Sequence, residues 1–566
     1  MAGTLEGWKA RKLKQSGSND RILSGAKFPS LLASKLPSFL AALLFSGYCS
    51  LFTTAYAFDR TNVPLKNWGG FSVYHSWVYD ALEKIVLAGL AEQTLLNSKP
   101  LSRVEAARIV AQAVRRLEWD KYGDYNHRGY LEELLYQLVE EFGPELAEMG
   151  VRTPLNRNVT LGYFGGKPID HAGFGMGSAS RSQKTVNNFG QRLKKGANAT
   201  STLDGRIQIG DFLSFYYQPE FIRDSDVSRG QLLNGYGKFT LGNAELEVGR
   251  DSLWWGPGFR GSMSFSNNAL PLDQIKLGSA EPFRLPWLLS YLGPVKTNLF
   301  VAQLEEDRDF SRANVSGWRF GFAPSRFVEL GFNRMFQFGG KGRGSPNPGQ
   351  FLQLLVTQGS DNPRSPVNVN NVMSFDGTLR IPDVERFILI ARDAAFYFDF
   401  GWDDTLFGLI VPDKPGGIAG TYLTGLFGDP KLDLRIEYAK TSKIQFTHGL
   451  YTSGFTNRGS VLSHFIGTQG SDLYARLTRW ISPDLLLGFQ MAKSQIGSTG
   501  QPLSANLVDS LSFGFDISYR LSSNSSFFLG YDFARLRNEN RNNAADKGPL
   551  KNDNLFRFEF TRSFGQ

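Results

Sequence analysis

The sequence predicts a mainly β protein: a transmembrane antiparallel outer-membrane β-barrel of about 16–18 strands, preceded by a small N-terminal α-helical bundle. Three observations predict this fold. The chain opens with a basic and then apolar leader, which is typical of an exported protein. From about residue 150 the hydrophobic period changes from 3.6 residues to 2. Aromatic residues dominate the apolar face of the alternating segments, since the 566 residues include 46 Phe.

Residues 1–57 have the three parts of a secretory signal peptide. A stretch with seven basic and two acidic residues precedes the apolar run 36–52, and Ala55-Tyr56-Ala57 supplies small residues for cleavage after Ala57. A membrane anchor is the alternative, but Pro37 and several small polar residues interrupt a run that is already short for spanning. The single Cys49 follows a bulky Tyr, so we interpret it as part of the signal's apolar core and not as a lipid attachment site.

The leader also explains the charge of the chain. It carries five of the nine net positive charges, so the mature protein keeps a net charge of only +4. We therefore expect no nucleic-acid partner. Because the lone Cys lies in the leader, no disulfide stabilises the exported chain.

Residues 58–150 are predicted to form a bundle of three helices. In the first, Tyr74, Trp77, Val78, Ala81, Leu82 and Ile85 share one face. The second opens with Ser102-x-x-Glu105, a capping box that satisfies free amide groups at a helix start. The third ends at Gly143-Pro144. Three short helices bury little surface by themselves, so we expect the bundle to dock on a larger body.

Residues 151–566 are predicted to form the barrel. Apolar and polar residues alternate clearly in segments 318–322, 328–332, 432–438, 511–521, 527–533 and 556–560. Short turns such as Ser482-Pro483-Asp484 join some strands, whereas long polar stretches at 339–350, 358–371 and 538–554 separate others. Short turns alternating with long loops are typical of an outer-membrane barrel.

A soluble β-sandwich also alternates and is the competing fold. The barrel is favoured by the leader, the absence of Cys from the exported chain, the loop lengths and the aromatic face. No mature segment approaches 18 consecutive apolar residues, so in a bilayer only a closed barrel would pair all backbone groups.

The most unusual stretch runs from Gly249 to Asp273 and includes Trp254-Trp255-Gly256-Pro257-Gly258 and Ser266-Asn267-Asn268-Ala269. Sugars offer C–H faces to aromatic rings and hydroxyls to amide, carboxylate and guanidinium groups. The candidate polysaccharide-binding residues are therefore Arg250, Trp254, Trp255, Asn267, Asn268 and Asp273. A structural interpretation stays open, in which Gly and Pro make an inward turn, the Trp rings pack, and Arg250 pairs with a carboxylate inside the barrel.

This stretch resembles the signature of the outer-membrane capsule assembly family, the Wzi-like proteins. The resemblance continues through Gly317-Trp318-Arg319-Phe320 and Phe338-Gly339-Gly340, and it covers most of residues 60–566. The long leader, the loops from 340 to 375 and the terminus Phe564-Gly565-Gln566 depart from the family pattern.

The resemblance implies a barrel in the outer membrane of a Gram-negative cell, plugged by the helical bundle, that binds capsular or exopolysaccharide and anchors it at the surface as a non-enzymatic lectin. It implies polysaccharide and outer-membrane lipid as partners, with polysaccharide export machinery as a further candidate. We expect a monomer. The second hypothesis is a porin for sugars or anions gated by the bundle.

Other chemistry finds little support in the sequence. The acids of Glu305-Glu306-Asp307-Arg308-Asp309 could suggest a glycosidase pair, but neighbouring strand residues face opposite sides, so we interpret them as a charge network with Arg308 and Arg312. The five His residues lack metal-ligand spacing, and no nucleotide or nucleophile-elbow motif occurs. We therefore expect no enzyme activity, no cofactor and no metal.

Overall fold

The computed structural model describes residues 55–56, 59–65, 76–119, 128–161, 164–357, 359–387, 389–406, 411–500, 506–540 and 543–564. Apart from Ala55–Tyr56, the predicted signal peptide lies outside these residues, as do Tyr74 of the first predicted helix and the final Gly565-Gln566. The division into leader, bundle and barrel stays a prediction.

Eighteen antiparallel strands close into a barrel within the described residues, which confirms the predicted fold at the upper end of its strand range. Strand β18 pairs with β1 and closes the ring. The strands are β1 Phe164–Ala179, β2 Gly196–Ile209, β3 Leu213–Arg223, β4 Ser228–Leu241, β5 Ala244–Asp251, β6 Leu272–Ser279, β7 Pro294–Gln303, β8 Asn314–Phe322, β9 Val328–Phe338, β10 Asn370–Ile381, β11 Asp393–Trp402, β12 Gly416–Thr424, β13 Leu432–Lys440, β14 Ser471–Ser482, β15 Leu485–Ile496, β16 Asn506–Ser522, β17 Ser525–Asn540 and β18 Lys551–Ser563.

The barrel wall has an apolar outer face and a polar inner face. In β6, Ile275 and Leu277 are more than half exposed, whereas Gln274 and Lys276 between them are buried in the lumen. Buried ion pairs such as Arg319–Asp376 and Arg476–Asp516 line the inside. This alternation puts aromatic and aliphatic side chains against lipid and charged ones inside, as an outer-membrane barrel requires. Among the described residues, no helix is both long and apolar enough to cross a bilayer.

The two ends of the barrel differ in their connections. At one end eight turns, 210–212, 242–243, 280–293, 323–327, 382–392, 425–431, 483–484 and 523–524, join neighbouring strands. The opposite end carries the longer loops, among them 252–271, 339–369 and 441–470. Since outer-membrane barrels place short turns in the periplasm, the first end is periplasmic and the second extracellular.

In the described part of the chain, four helices precede the barrel: α1 Ser76–Leu87, α2 Arg103–Trp119, α3 Arg128–Glu141 and α4 Gly143–Glu148. The predicted capping box at the start of α2 is present, because the Glu105 amide donates to Ser102 Oγ and the Ser102 amide donates to the Glu105 carboxylate. Buried aliphatic residues of all four helices form one apolar core. The fifth helix, α5 Pro348–Leu354, belongs to an extracellular loop.

The helical bundle occupies the periplasmic mouth of the barrel. Lys84 of α1 pairs with Asp433 at 2.7 Å, and Glu105 of α2 pairs with Lys296 at 2.5 Å. The backbone amide of Asn97 donates to Glu329 at 2.7 Å. Because all three barrel partners are buried lumen-facing residues near the short turns, the bundle docks inside the barrel as a periplasmic plug.

The remaining elements are short. Four two-residue ribbons pair Ala55–Tyr56 with Thr160–Leu161, Ser98–Lys99 with Trp254–Trp255, Gln183–Lys184 with Arg192–Leu193, and Thr456–Asn457 with Ser460–Val461. A three-residue ribbon pairs Asp404–Leu406 with Val411–Asp413, and the short strands Phe283–Arg284 and Asn543–Lys547 extend the barrel sheet. Single 3-10 turns occur at Trp287–Leu292, Val384–Arg386 and Leu426–Gly428.

Candidate functional site

The connection between β5 and β6, residues 252–271, folds into the lumen, and we call it the inward loop. Trp254–Trp255 pairs as a short antiparallel ribbon with Ser98–Lys99 of the plug. The Gly256 amide also donates to the Asn97 carbonyl at 2.8 Å. An extracellular loop thus reaches down to meet the periplasmic plug inside the barrel.

The two Trp residues point to opposite sides of this ribbon and are both buried. Trp255 is 1% exposed and packs edge-on against Phe265 and Phe300, with ring centroids 5.3 and 5.6 Å apart. Trp254 is 5% exposed and joins the apolar core of the plug. These rings offer no face to a polymer outside the barrel, which agrees with the structural interpretation of the motif.

Carboxylates of the barrel wall hold the inward loop by its backbone. Asp399 accepts from the Met263 amide at 2.7 Å, and Glu437 accepts from the Phe259 and Arg260 amides at 2.6 and 2.9 Å. At Gly256, whose φ is +134°, a Cβ atom would lie 2.6 Å from an Asp399 oxygen. The glycine in the motif is therefore needed for this close approach.

A second extracellular loop, 441–470, packs onto the inward loop. Its Phe446, Phe455 and Ile466 are fully buried in one cluster with Trp255. The Ser266 amide donates to the Leu462 carbonyl at 2.9 Å. Together the two loops fill the outer part of the lumen with apolar side chains.

Arg250 and Asp273 lie outside the inward loop, on the barrel wall. They stand directly opposite each other on β5 and β6 and form a two-bonded ion pair, with both distances 2.7 Å. Strand alternation turns both side chains to the outer face of the wall, where Asp273 is 65% exposed. Arg250 also donates to the Leu232 carbonyl. The predicted carboxylate partner of Arg250 is thus found outside the barrel and not in its lumen.

Asn267 and Asn268 lie at the outer end of the lumen. The carbonyl of buried Asn267 accepts from the Phe189 amide at 2.7 Å. Half-buried Asn268 donates from its side chain to the Val461 carbonyl at 2.9 Å. The six predicted residues therefore occupy three places, and the structure does not bring them together into one surface.

An extracellular group of cations, which sequence reasoning missed, lies beside Asn268. Lys184 and Arg192 are exposed and stand directly opposite each other in their ribbon. Lys184 Nζ donates to the Gly459 carbonyl at 2.5 Å, which places it next to exposed Arg458. Partial burial and the Arg192 guanidinium lower the pKa of Lys184 to about 8. Within the described part of the chain, no acid contributes to the shift of the Lys184 pKa. No local motif marks these three cations, because the loops that meet are more than 250 residues apart.

The acidic run after β7 forms the predicted charge network. Arg308 contacts Glu305 and Asp309, each at 3.4 Å, and Arg312 contacts Glu306 at 3.0 Å. Arg308 also donates to the carbonyls of Gly454 and Thr456 in the 441–470 loop. These contacts tie two extracellular loops together. Among the described residues, no three His, Cys, Asp or Glu side chains are grouped as a metal site would require.

Fold and site together define an outer-membrane β-barrel whose lumen is filled by a periplasmic plug and by inward-folded extracellular loops. A family model described as "Capsule assembly protein Wzi" matches residues 170–549, about two thirds of the sequence. The chain therefore belongs to the Wzi capsule assembly family.

Individual relatives agree with this assignment. A Klebsiella pneumoniae protein described as an uncharacterized 55.8 kDa protein in the cps region is 32% identical over 122 residues, which are 21% of this chain and 24% of that protein. The chain thus matches only about a quarter of the length of this curated relative.

A solved structure shows the same fold. Wzi of Escherichia coli, described as an outer membrane protein involved in group 1 capsule assembly and as a carbohydrate binding β-barrel, aligns with a TM-score of 0.64 at 18% identity over 86% of this chain and 98% of its own. OccD3 of Pseudomonas aeruginosa aligns with a TM-score of 0.41 at 9% identity over 70% of this chain and 91% of its own, which is too weak to support any inference.

Proposed function

We propose that this protein binds capsular or exopolysaccharide and holds it at the cell surface as a non-enzymatic lectin. The observation that carries the proposal is the filled lumen: the plug and the inward loop meet each other at Trp254 and Lys99. A barrel whose lumen is filled in this way is suited to binding a ligand at the membrane surface and is poorly suited to the passage of solutes. Membership of the capsule assembly family supports the same function.

We place the polymer on the extracellular loops, at Lys184, Arg192 and Arg458. Like charges that face each other across a ribbon are destabilising unless an anion lies between them. A polymer that carries carboxylate groups would supply that anion, and its hydroxyls could bond to the nearby amide of Asn268. The proposed ligand is therefore an acidic polysaccharide.

The six residues that the motif predicted enter this proposal in two roles. Trp254, Trp255 and Asn267 support the outer surface from below by fixing the inward loop. Asn268 and the Arg250–Asp273 pair lie at or near the outer rim, where a long polymer could reach them. Binding by variants at Trp255 and Asn268 separates the two roles, because only the second contacts ligand.

Deletion of the gene tests the cellular function. We expect polysaccharide to be released into the medium while total synthesis stays the same. Cell-bound polymer that is unchanged by the deletion would refute the anchoring function.

The double variant Lys184→Gln/Arg192→Gln tests the site. We expect its affinity for polysaccharide isolated from the same cells to fall at least about tenfold, and the affinity of the unaltered protein to fall as salt is added. Lys414→Gln is the matched control, since Lys414 is exposed in another extracellular loop and pairs with Asp413 at 3.0 Å. Equal binding by both variants would move the site away from Lys184.

A gated porin is the second candidate function. Described residues of the plug and of β14–β18 border a cavity of about 240 Å³, whose lining includes Arg476, Asp516 and Arg520. Single-channel recording of the purified full-length protein distinguishes the two functions. A closed barrel supports the lectin, whereas steady conductance through the full-length protein would favour the porin.

A further inference from the structure

Four consecutive periplasmic turns expose large apolar side chains. The turns are 280–293, 323–327, 382–392 and 425–431, which join the strands from β6 to β13 in pairs. Their most exposed apolar residues are Leu389 at 91%, Trp287 at 87%, Phe387 at 84%, Tyr291 at 80% and Phe427 at 77%; Leu288, Leu289, Ile390 and Phe327 are also exposed. We call these four turns the apolar foot.

The other four periplasmic turns are different. Turns 210–212, 242–243, 483–484 and 523–524 have two or three residues and are mostly polar, as in Gly242-Asn243 and Ser523-Asn524. The apolar foot therefore occupies one side of the periplasmic rim and not its whole circumference.

The strands on the side of the apolar foot are short. Strands β5 to β13 have 8 to 12 residues, whereas β1, β16 and β17 on the opposite side have 16 or 17. A strand tilted by about 40° rises about 2.5 Å along the membrane normal per residue, so the strands of eight or nine residues, β5, β6, β8, β12 and β13, cover about 20–23 Å. This is less than the apolar band of about 25 Å of an outer-membrane barrel, whereas the strands of 10 to 12 residues reach about 25–30 Å. Apolar surface at the ends of the shortest strands completes the band on this side.

The same side is also extended at its extracellular end. By strand alternation Phe336 and Phe338 face outward, and α5 covers them through Phe351, with ring centroids 5.7 Å apart in both pairs. Trp318 Nε1 donates to the Leu355 carbonyl at 2.8 Å. Leu352 of the helix and Val356 just after it are exposed, at 64% and 72%. Apolar surface is thus added at both ends of the short strands.

The cations of the apolar foot favour lipid as its binding partner. Exposed Arg326 lies 4.7 Å from the ring of Phe327 and also 3.5 Å from exposed Glu92, and exposed Arg386 directly precedes Phe387 and lies 3.8 Å from Asp383. Aromatic rings beside cations are typical of chain segments at a membrane interface, where the ring enters the acyl region and the cation meets the headgroups.

We propose that the apolar foot inserts into the periplasmic leaflet of the outer membrane and binds phospholipid, and so compensates for the strands of eight or nine residues on its side of the barrel. The turns of the foot directly join strands of the lipid-facing wall, so their apolar side chains lengthen the apolar surface where the strands are shortest and reduce the hydrophobic mismatch. This binding surface is independent of polysaccharide binding.

Single cysteines test the proposal cleanly, because the one native Cys lies in the predicted leader. Leu289→Cys and Leu389→Cys carry an environment-sensitive fluorophore in the foot, and Asn524→Cys carries it in a polar turn at the same end. The proteins are reconstituted in vesicles of phosphatidylethanolamine and phosphatidylglycerol that contain a nitroxide-labelled lipid. We expect the two foot labels to be quenched at least about twofold more strongly than the control and to emit at shorter wavelength.

Equal quenching and equal emission at all three positions would overturn the proposal and would point to a protein partner in the periplasm. Phe387→Cys serves as a second foot position if either Leu variant does not fold. Resistance to unfolding in detergent, compared with the unaltered protein, confirms that each labelled barrel is closed.

Discussion

At the scale of single residues, Glu148 at the end of α4 carries an unusual carboxyl group. Burial first, and then the nearby Glu145 and Asp59, raise its pKa to about 8. One of its carboxylate oxygens is buried without a hydrogen-bond partner among the described residues. A carboxyl whose pKa is higher in the folded than in the unfolded state stabilises the fold at low pH. That stability is lost as the pH rises from about 4.5 toward 8.

Glu148→Gln should therefore stabilise the plug at high pH. We expect wild-type α4 to open more readily at pH 9 than at pH 6, and the variant to lose most of this difference. The change is about 1 kcal/mol once solvent screening of a partly exposed group is allowed for. Hydrogen exchange of residues 143–148 measures it, with Asp307→Asn in an exposed extracellular loop as the control. Identical pH dependence in wild type and variant would contradict the raised pKa.

The Trp pair shows what a sequence reveals about single residues. Its residue types indicated a special turn, and strand alternation already required that Trp254 and Trp255 face opposite sides. What each side contains depends on partners far away in the chain: Phe446 and Phe455 around Trp255, and the plug core around Trp254. The structural interpretation of the motif already allowed for packed Trp rings, but the partners that bury them could not be predicted, because no local pattern indicates which loops fold inward.

At the scale of elements, the inward loop depends on Trp255. Replacement of Trp255 by Ala removes a ring that packs on Phe265 and Phe300, and we expect the loop to lose about 3–5 kcal/mol of local stability. Hydrogen exchange over residues 252–271 and 441–470 should rise together, since the two loops pack on each other. Trp287→Ala is the matched control, because that ring is 87% exposed. Unchanged exchange in the Trp255 variant would show that wall carboxylates alone fix the loop.

Elements with a strong local signal were predictable. The capping box gave the start of α2, and period-2 runs gave β9, β13 and the β16–β17 hairpin. Helix α5 was missed, although Asn347 and Gln350 form a capping box there as well. Its seven residues lie in a polar loop, and its apolar residues pack on the outer wall of the barrel, which no pattern within the loop indicates.

At the scale of the whole molecule, strand number and strand length follow from closure of the ring. A single strand of eight residues carries little hydropathy signal, so the sequence could only bound the count from the length of the chain. The asymmetry between the short strands β5 to β13 and the long strands on the other side was likewise not predictable. This asymmetry has a physical consequence only in the closed barrel, where all strands cross the same bilayer.

Two occlusions stand in series along the lumen. The plug is held to the wall by the buried pairs Lys84–Asp433 and Lys296–Glu105, and the inward loop by Asp399 and Glu437. Removing one partner of a buried pair leaves an uncompensated charge and costs about 3–5 kcal/mol. Because the ribbon between Trp254–Trp255 and Ser98–Lys99 also joins the two occlusions, substitutions at the separate wall contacts are the most selective way to weaken one of them.

We expect neither Lys84→Met/Lys296→Met nor Trp255→Ala alone to open the barrel, because the intact occlusion still blocks the path. The triple variant should conduct in planar bilayers, with conductance far above the sum of the separate effects. This non-additive result follows because the two occlusions lie in series, and the larger of two resistances in series limits the current. Full opening by the double Lys variant alone would show that the plug is the sole barrier and that the outer loops leave a continuous water path. The Lys414→Gln protein, altered only on the extracellular surface, should stay as closed as the wild type and so controls for handling in the bilayer.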